Sequence, residues 1–210
     1  MWKKTDEHEL GQAVHKVLPH GKFINPSSNK PIILSLTGGE PTLRAKFIPS
    51  LLEAEEFADV KHILIETNCA VKLKREFITN ISAWLATDSN RKWTWSNSPK
   101  LSVSGEKWKD AIIPEIAMMQ REITTANQFD QYFKFVCGPT DTDFDEVERA
   151  MLNYWNAGIP RNIEVYIMPT ACTEEQQQTT AAKVAHMCID KGYIYCHRIQ
   201  NSVFGNGVGT

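Results

Sequence analysis

No apolar run in this 210-residue chain reaches the length of a membrane span, and its opening residues, Met1 to Glu7, hold no apolar stretch like that of a secretory signal. A cytoplasmic protein without a membrane partner is expected. Basic residues are scattered, and 23 Lys and Arg against 25 Asp and Glu leave a net charge of −2, so no stripe exists to capture a phosphate backbone. Nucleic acid is not expected as a direct partner. Cysteine pairing is missing as well. The five cysteines (Cys69, Cys137, Cys172, Cys188, Cys196) are odd in number, with no C-x-x-C and no histidine at zinc-finger distance. Reduced, mostly buried thiols are expected. What remains is ordinary: 42% hydrophobic and 23% charged residues suit a soluble domain, and the length suits one domain spanning 1–210.

Apolar spacing along the chain alternates between two periods. Leu10 to Leu18 has helical spacing, and Pro31 to Leu36 is a short apolar run that suits a strand buried on both faces. Lys61 to Ile65, Trp93 to Trp95, Tyr132 to Val136, Ile163 to Ile167 and Tyr193 to Ile199 are further strand candidates. Helices are predicted over Lys72 to Ile81, over Glu106 to Glu122 with a break near Pro114, from an Asp143/Glu146 capping box to Ala157, and from Thr173 to Lys191. Strands separated by helical crossovers imply an α/β fold with a mostly parallel sheet or partial (β/α) barrel. The tryptophans at these strand and helix positions are expected in the core, and His62, His186 and His197 lack metal-ligand spacing.

Ligands bind such sheets beyond the carboxyl ends of the strands. The unusual short sequences fall there: Thr37-Gly38-Gly39-Glu40-Pro41, Glu66-Thr67-Asn68, Asn97-Ser98-Pro99-Lys100 and Met168-Pro169-Thr170-Ala171. Two glycines between strand and helix let a ligand approach the backbone closely. Glu40 would repel a phosphate, and the lysine of a P-loop is absent. The corner suits a zwitterion, whose ammonium Glu40 can accept. The competing reading is a tight turn in which Glu40 only caps the following helix, a favourable charge–dipole contact worth about 0.3–1 kcal/mol.

In order and spacing, these motifs resemble those of the 7-carboxy-7-deazaguanine synthases, within the radical S-adenosylmethionine superfamily. The resemblance runs from about Ile32 to the C-terminus, through Phe133-Lys134-Phe135-Val136 and Phe204-Gly205-Asn206. It implies a partial barrel of the radical S-adenosylmethionine type. It also implies cofactor contacts at Gly38, Gly39, Glu40, Ser98, Pro99 and Lys100 and along Met168, Pro169, Thr170 and Ala171, where Met168 departs from the family's usual glutamine. Substrate contacts are implied at Thr37, Glu66, Thr67 and Asn68, and at Thr210 through a terminal carboxylate. The implied lyase reaction converts 6-carboxy-5,6,7,8-tetrahydropterin to 7-carboxy-7-deazaguanine, on the route to queuosine or modified DNA bases. Family members use S-adenosylmethionine, a four-iron four-sulfur cluster and magnesium, and a homodimer is implied.

The superfamily holds its cluster with C-x-x-x-C-x-x-C, since thiolates are what ligate such iron. None of the five cysteines has that spacing, and the family's magnesium-binding threonine, which follows the third cysteine, has no counterpart. An N-terminally truncated chain, inactive by itself, is therefore expected, with a cysteine-bearing N-terminal polypeptide as a candidate partner. Two alternatives stay open: an activase of a glycyl-radical enzyme, and a non-catalytic remnant that binds S-adenosylmethionine.

Overall fold

Strands and helices alternate along the computed structural model, which describes residues 5–123, 127–171 and 173–204. The strands are β1 (Ile33–Leu36), β2 (His62–Thr67), β3 (Lys92–Asn97), β4 (Phe129–Cys137), β5 (Val165–Pro169) and β6 (Ile194–Tyr195). The helices are α1 (Glu7–His15), α2 (Phe47–Glu53), α3 (Arg75–Ala86), α4 (Trp108–Ala111), α5 (Pro114–Gln120), α6 (Asp141–Asn156), α7 (Glu174–Lys191) and α8 (Ile199–Phe204). The strands stand in sequence order, β1-β2-β3-β4-β5-β6, with parallel pairing at β1–β2, β4–β5 and β5–β6. The α/β class and the parallel sheet expected from the sequence are thus present. No helix among the described residues is long and apolar enough to cross a membrane.

Two compact units share the chain. The first holds the described residues of Met1–Thr67, Val71–Trp95 and Met119–Asp130. Its core is built by periodicity. Ile63 and Ile65 alternate along β2, Trp93 and Trp95 along β3, and α3 sends Phe77, Ile78, Ile81, Trp84 and Leu85 inward from one helical face. The indoles of Trp93 and Trp95 meet edge to face at 5.7 Å, so the tryptophans of β3 are core residues. The second unit holds the described residues of Asn68–Ala70, Ser96–Met118 and Gln131–Thr210. There Phe133, Phe135 and Cys137 of β4 and Val165 and Ile167 of β5 pack against Phe144, Val147, Ala150, Met151 and Tyr154 of α6, with Val184 and Cys188 of α7.

Four expectations need correction. β1 is not buried on both faces: Leu34 and Leu36 pack on the core, while Ile33 is 47% exposed and Ser35 is exposed too. This strand stands at the edge of the sheet, with β2 as its paired neighbour, and alternation puts Ile33 and Ser35 on the side away from the core. The capping box of α6 lies one turn earlier than Asp143/Glu146. Thr140 Oγ1 accepts from Asp143 N–H at 3.2 Å and Asp143 Oδ2 accepts from Thr140 N–H at 3.1 Å. The last strand is shorter than Tyr193 to Ile199. After Cys196 N–H reaches Ile167 O at 2.8 Å, the buried amide of Gln177 takes Arg198 N–H at 3.1 Å and turns the chain into α8. Finally, the helix expected over Leu10 to Leu18 runs from Glu7 to His15, because Asp6 caps its first turn by accepting from Glu9 N–H at 2.8 Å.

Candidate functional site

The β1 corner begins with a backbone that only glycine accommodates without strain. Gly38 and Gly39 have φ of 90° and 59°, and a Cβ built at either meets no atom within 4 Å. Backbone conformation, not crowding, demands the glycines, and their peptides stay open to a ligand. Glu40 then turns back on the chain. Its Oε1 accepts from Thr42 N–H at 3.0 Å, from Thr42 Oγ1 at 2.5 Å and from Thr67 Oγ1 at 2.8 Å. The first of these bonds caps the 3₁₀ turn Pro41–Arg44, so Glu40 does perform the capping role. The third reaches across to the end of β2.

Alternation along β2 explains what Thr67 and Glu66 each do. Ile63, Ile65 and Thr67 are on the buried face; His62, Leu64 and Glu66 are on the other and only partly buried. Register pairs Ile33 with His62 and Ser35 with Leu64, which brings Thr37 beside Glu66. Thr37 Oγ1 donates to Glu66 Oε2 at 3.2 Å. The two corners are therefore laced in both directions: Thr37 of the first to the acid of the second, and Thr67 of the second to the acid of the first. The same face carries His62, whose Nε2 lies 2.9 Å from Thr94 Oγ1 on β3. Burial and then the positive charge of Lys92 hold this imidazole below its ordinary pKa, so it is neutral at neutral pH. Ser35, Thr37, His62, Glu66 and Thr94 give this face a polar share, with Ile33 and Leu64 among them, opposite a face of leucine, isoleucine and tryptophan.

The second unit carries the remaining candidate residues. Asn68 Oδ1 accepts from Ala70 N–H at 3.0 Å, a local turn around Cys69, whose φ is +57°. Ser98, Pro99 and Lys100 follow β3, with Pro99 buried and the other two partly so. Just beyond them Glu146 of α6 accepts from Ser102 N–H at 2.9 Å and from Ser102 Oγ at 2.7 Å, which fixes the start of the next turn. Glu146 does this because Asp143 occupies the box position. Met168, Pro169, Thr170 and Ala171 end β5, and Thr170 N–H donates to Cys137 O at 3.0 Å. Thr210 lies outside the described residues, as does Cys172.

Among the described residues no three His, Cys, Asp or Glu side chains come together to hold a metal ion. Cys69, Cys137, Cys188 and Cys196 are not in disulfides. Burial pushes Cys137 up to about 12 and Cys188 up to about 11, so both stay protonated at neutral pH. Sequence reasoning missed Thr42, His62 with Thr94, and the Glu146–Ser102 clamp. A period-two reading of β2 would have separated Thr67 from Glu66 and put His62 on the face of Glu66.

A curated protein of Rhodopirellula baltica, named 7-carboxy-7-deazaguanine synthase, is 33% identical to this chain over 186 residues. The match covers 83% of this chain and 62% of that protein, so the chain spans less than two thirds of the length of this relative. No family model matches the chain.

Proposed function

We propose that this chain belongs with the 7-carboxy-7-deazaguanine synthases and forms the part of such an enzyme that holds S-adenosylmethionine and a pterin substrate. The observation that carries the reading is the laced pair of corners in the first unit, where Thr67 bonds Glu40 and Thr37 bonds Glu66, two threonine–carboxylate pairs on the two faces of β2, next to the open glycine peptides. The similarity to the Rhodopirellula baltica protein supports it independently. The β1 corner fits the amino-acid end of the cofactor: Glu40 supplies a carboxylate for the ammonium, and Gly38 and Gly39 leave room for the chain that bears it. Ser98, Pro99, Lys100 and Met168 to Ala171, in the second unit, keep in this proposal the cofactor contacts that the resemblance implies.

Thr37 and Glu66 are assigned to the pterin. A carboxylate accepts the paired N–H donors of a 2-amino-pyrimidinone edge in the way it accepts a guanidinium fork, and a hydroxyl held beside it fixes the direction of approach. Asn68 keeps in this proposal the substrate contact that the resemblance implies, whereas Thr67 bonds Glu40 and Thr210 lies outside the described residues. S-adenosylmethionine held here would supply radical chemistry only when reduced by one electron from a donor that the described residues do not hold; the chain's own residues would bind, orient and exclude water. The proposed reaction converts 6-carboxy-5,6,7,8-tetrahydropterin to 7-carboxy-7-deazaguanine with release of ammonia. No general base is assigned. The described residues do not fit a four-iron four-sulfur cluster or a magnesium site, because they bring no set of ligands together. This chain by itself is accordingly proposed not to turn over.

Calorimetric titration of the carboxypterin under anaerobic conditions, with S-adenosylmethionine present, tests the reading. The wild-type chain is expected to bind it, and Glu66→Gln to weaken binding about tenfold, the loss of one charge-assisted hydrogen bond. A wild-type chain that binds the cofactor and ignores the pterin contradicts the substrate assignment.

A further inference from the structure

We propose that Thr67, acting through its hydroxyl, is the positioning residue that aims the Glu40 carboxylate at the cofactor's ammonium; the inference rests on the proposed function above. Three donors converge on a single oxygen, Glu40 Oε1: the N–H and hydroxyl of Thr42 and the hydroxyl of Thr67. A carboxylate has about four acceptor sites shared between two oxygens, so crowding three donors on one oxygen fixes the rotation of the group. The two threonines do different work. Thr42 lies two residues beyond Glu40 in the same 3₁₀ turn, so it moves with the turn and sets the carboxylate only relative to that turn. Thr67 is the last residue of β2, parallel to the strand that leads into the corner, and its bond sets the carboxylate relative to the sheet.

Burial reinforces this. Thr67 is 2% exposed and Thr42 is 5% exposed, so bulk water does not replace either hydroxyl, and the carboxylate is held in one place before any ligand arrives. A charge fixed in advance gives a cation more binding energy than one that must be ordered on binding. The neighbouring residue on β2, Glu66, faces the other way and receives Thr37. Thr67 thus ties the cofactor's acid to the strand that carries the substrate's acid.

Two ligands separate this role from a merely structural one. S-adenosylhomocysteine carries the ammonium; 5′-methylthioadenosine shares its nucleoside and sulfur but lacks the amino-acid end. The wild-type chain is expected to bind the first more tightly in calorimetry. Thr67→Val keeps the shape and removes the donor: it should weaken S-adenosylhomocysteine about tenfold, leave methylthioadenosine unchanged, and be rescued by Thr67→Ser. Should Thr67→Val fail to fold, judged by its thermal transition, Thr67→Ala is titrated with the same pair. Equal weakening of both ligands, or no weakening of either, overturns the positioning role. A wild-type chain that binds neither ligand, or shows no preference between them, instead overturns the cofactor reading and this inference with it.

Discussion

The first unit's sheet has two faces made from the same strands, and they are built by opposite rules. On one, Leu34, Leu36, Ile63, Ile65, Trp93 and Trp95 meet the helices and are dominated by area removed from water. On the other, Thr37 bonds Glu66 and His62 bonds Thr94, and Ile33, Ser35 and Leu64 share the face with them. A strand in a parallel sheet covered on both sides would be apolar throughout. The polar side of β1 and β2 is therefore a departure that stability does not require, and departures of this kind mark places where a ligand is handled. Thr67 stands at the hinge of the contrast: buried with the apolar face, it nevertheless spends its hydroxyl on Glu40.

The contrast breaks most visibly at Trp93. It is fully buried and touches the rings of Phe77, Trp84 and Trp95, so Trp93→Ala should cost about 3–5 kcal/mol in urea unfolding. A loss below about 1 kcal/mol, within the range of an ordinary substitution, would mean that this face is not the core. On the polar face the expected pattern reverses. Thr37→Val should shift stability by no more than about 0.5 kcal/mol, as surface changes do, yet weaken carboxypterin binding several-fold. An unchanged pterin titration would remove Thr37 from the site.

The smallest effect is one of pH. His62 titrates below its ordinary 6.5 in the folded chain, so the unfolded chain takes up the proton first as pH falls. Its contribution to stability is complete above about pH 6.5 and is lost as the pH drops below it. Wild-type stability should therefore decline over that window more steeply than that of His62→Asn. Parallel pH profiles for the two proteins would show that burial and the charge of Lys92 do not keep the imidazole neutral.

The sequence pattern identified the alternation of strands and helices well, because Ile63-Leu64-Ile65, Trp93-Thr94-Trp95 and the long amphipathic stretch of α7 are strong local signals. Boundaries fared less well wherever a distant residue decides them. β6 stops where Gln177, from the preceding helix, captures Arg198, and the cap of α6 moved to Thr140 because Asp143 serves that turn while Glu146 serves Ser102. None of these partners is near in sequence to what it ends, Thr140 excepted. The candidate site was legible as a set of corners following strands. That Glu40 is shared between its own turn and Thr67 was not, because period-two alternation says which way Thr67 faces but not what it meets there.

A crystal structure of this chain soaked with S-adenosylmethionine tests the central claim most directly. The account predicts the methionyl ammonium hydrogen-bonded to the Glu40 carboxylate, alongside the open peptides of Gly38 and Gly39, with the Thr67 hydroxyl still on Oε1. Density for the cofactor with its amino-acid end away from this corner, and Glu40 engaged only by Thr42 and Thr67, would contradict it.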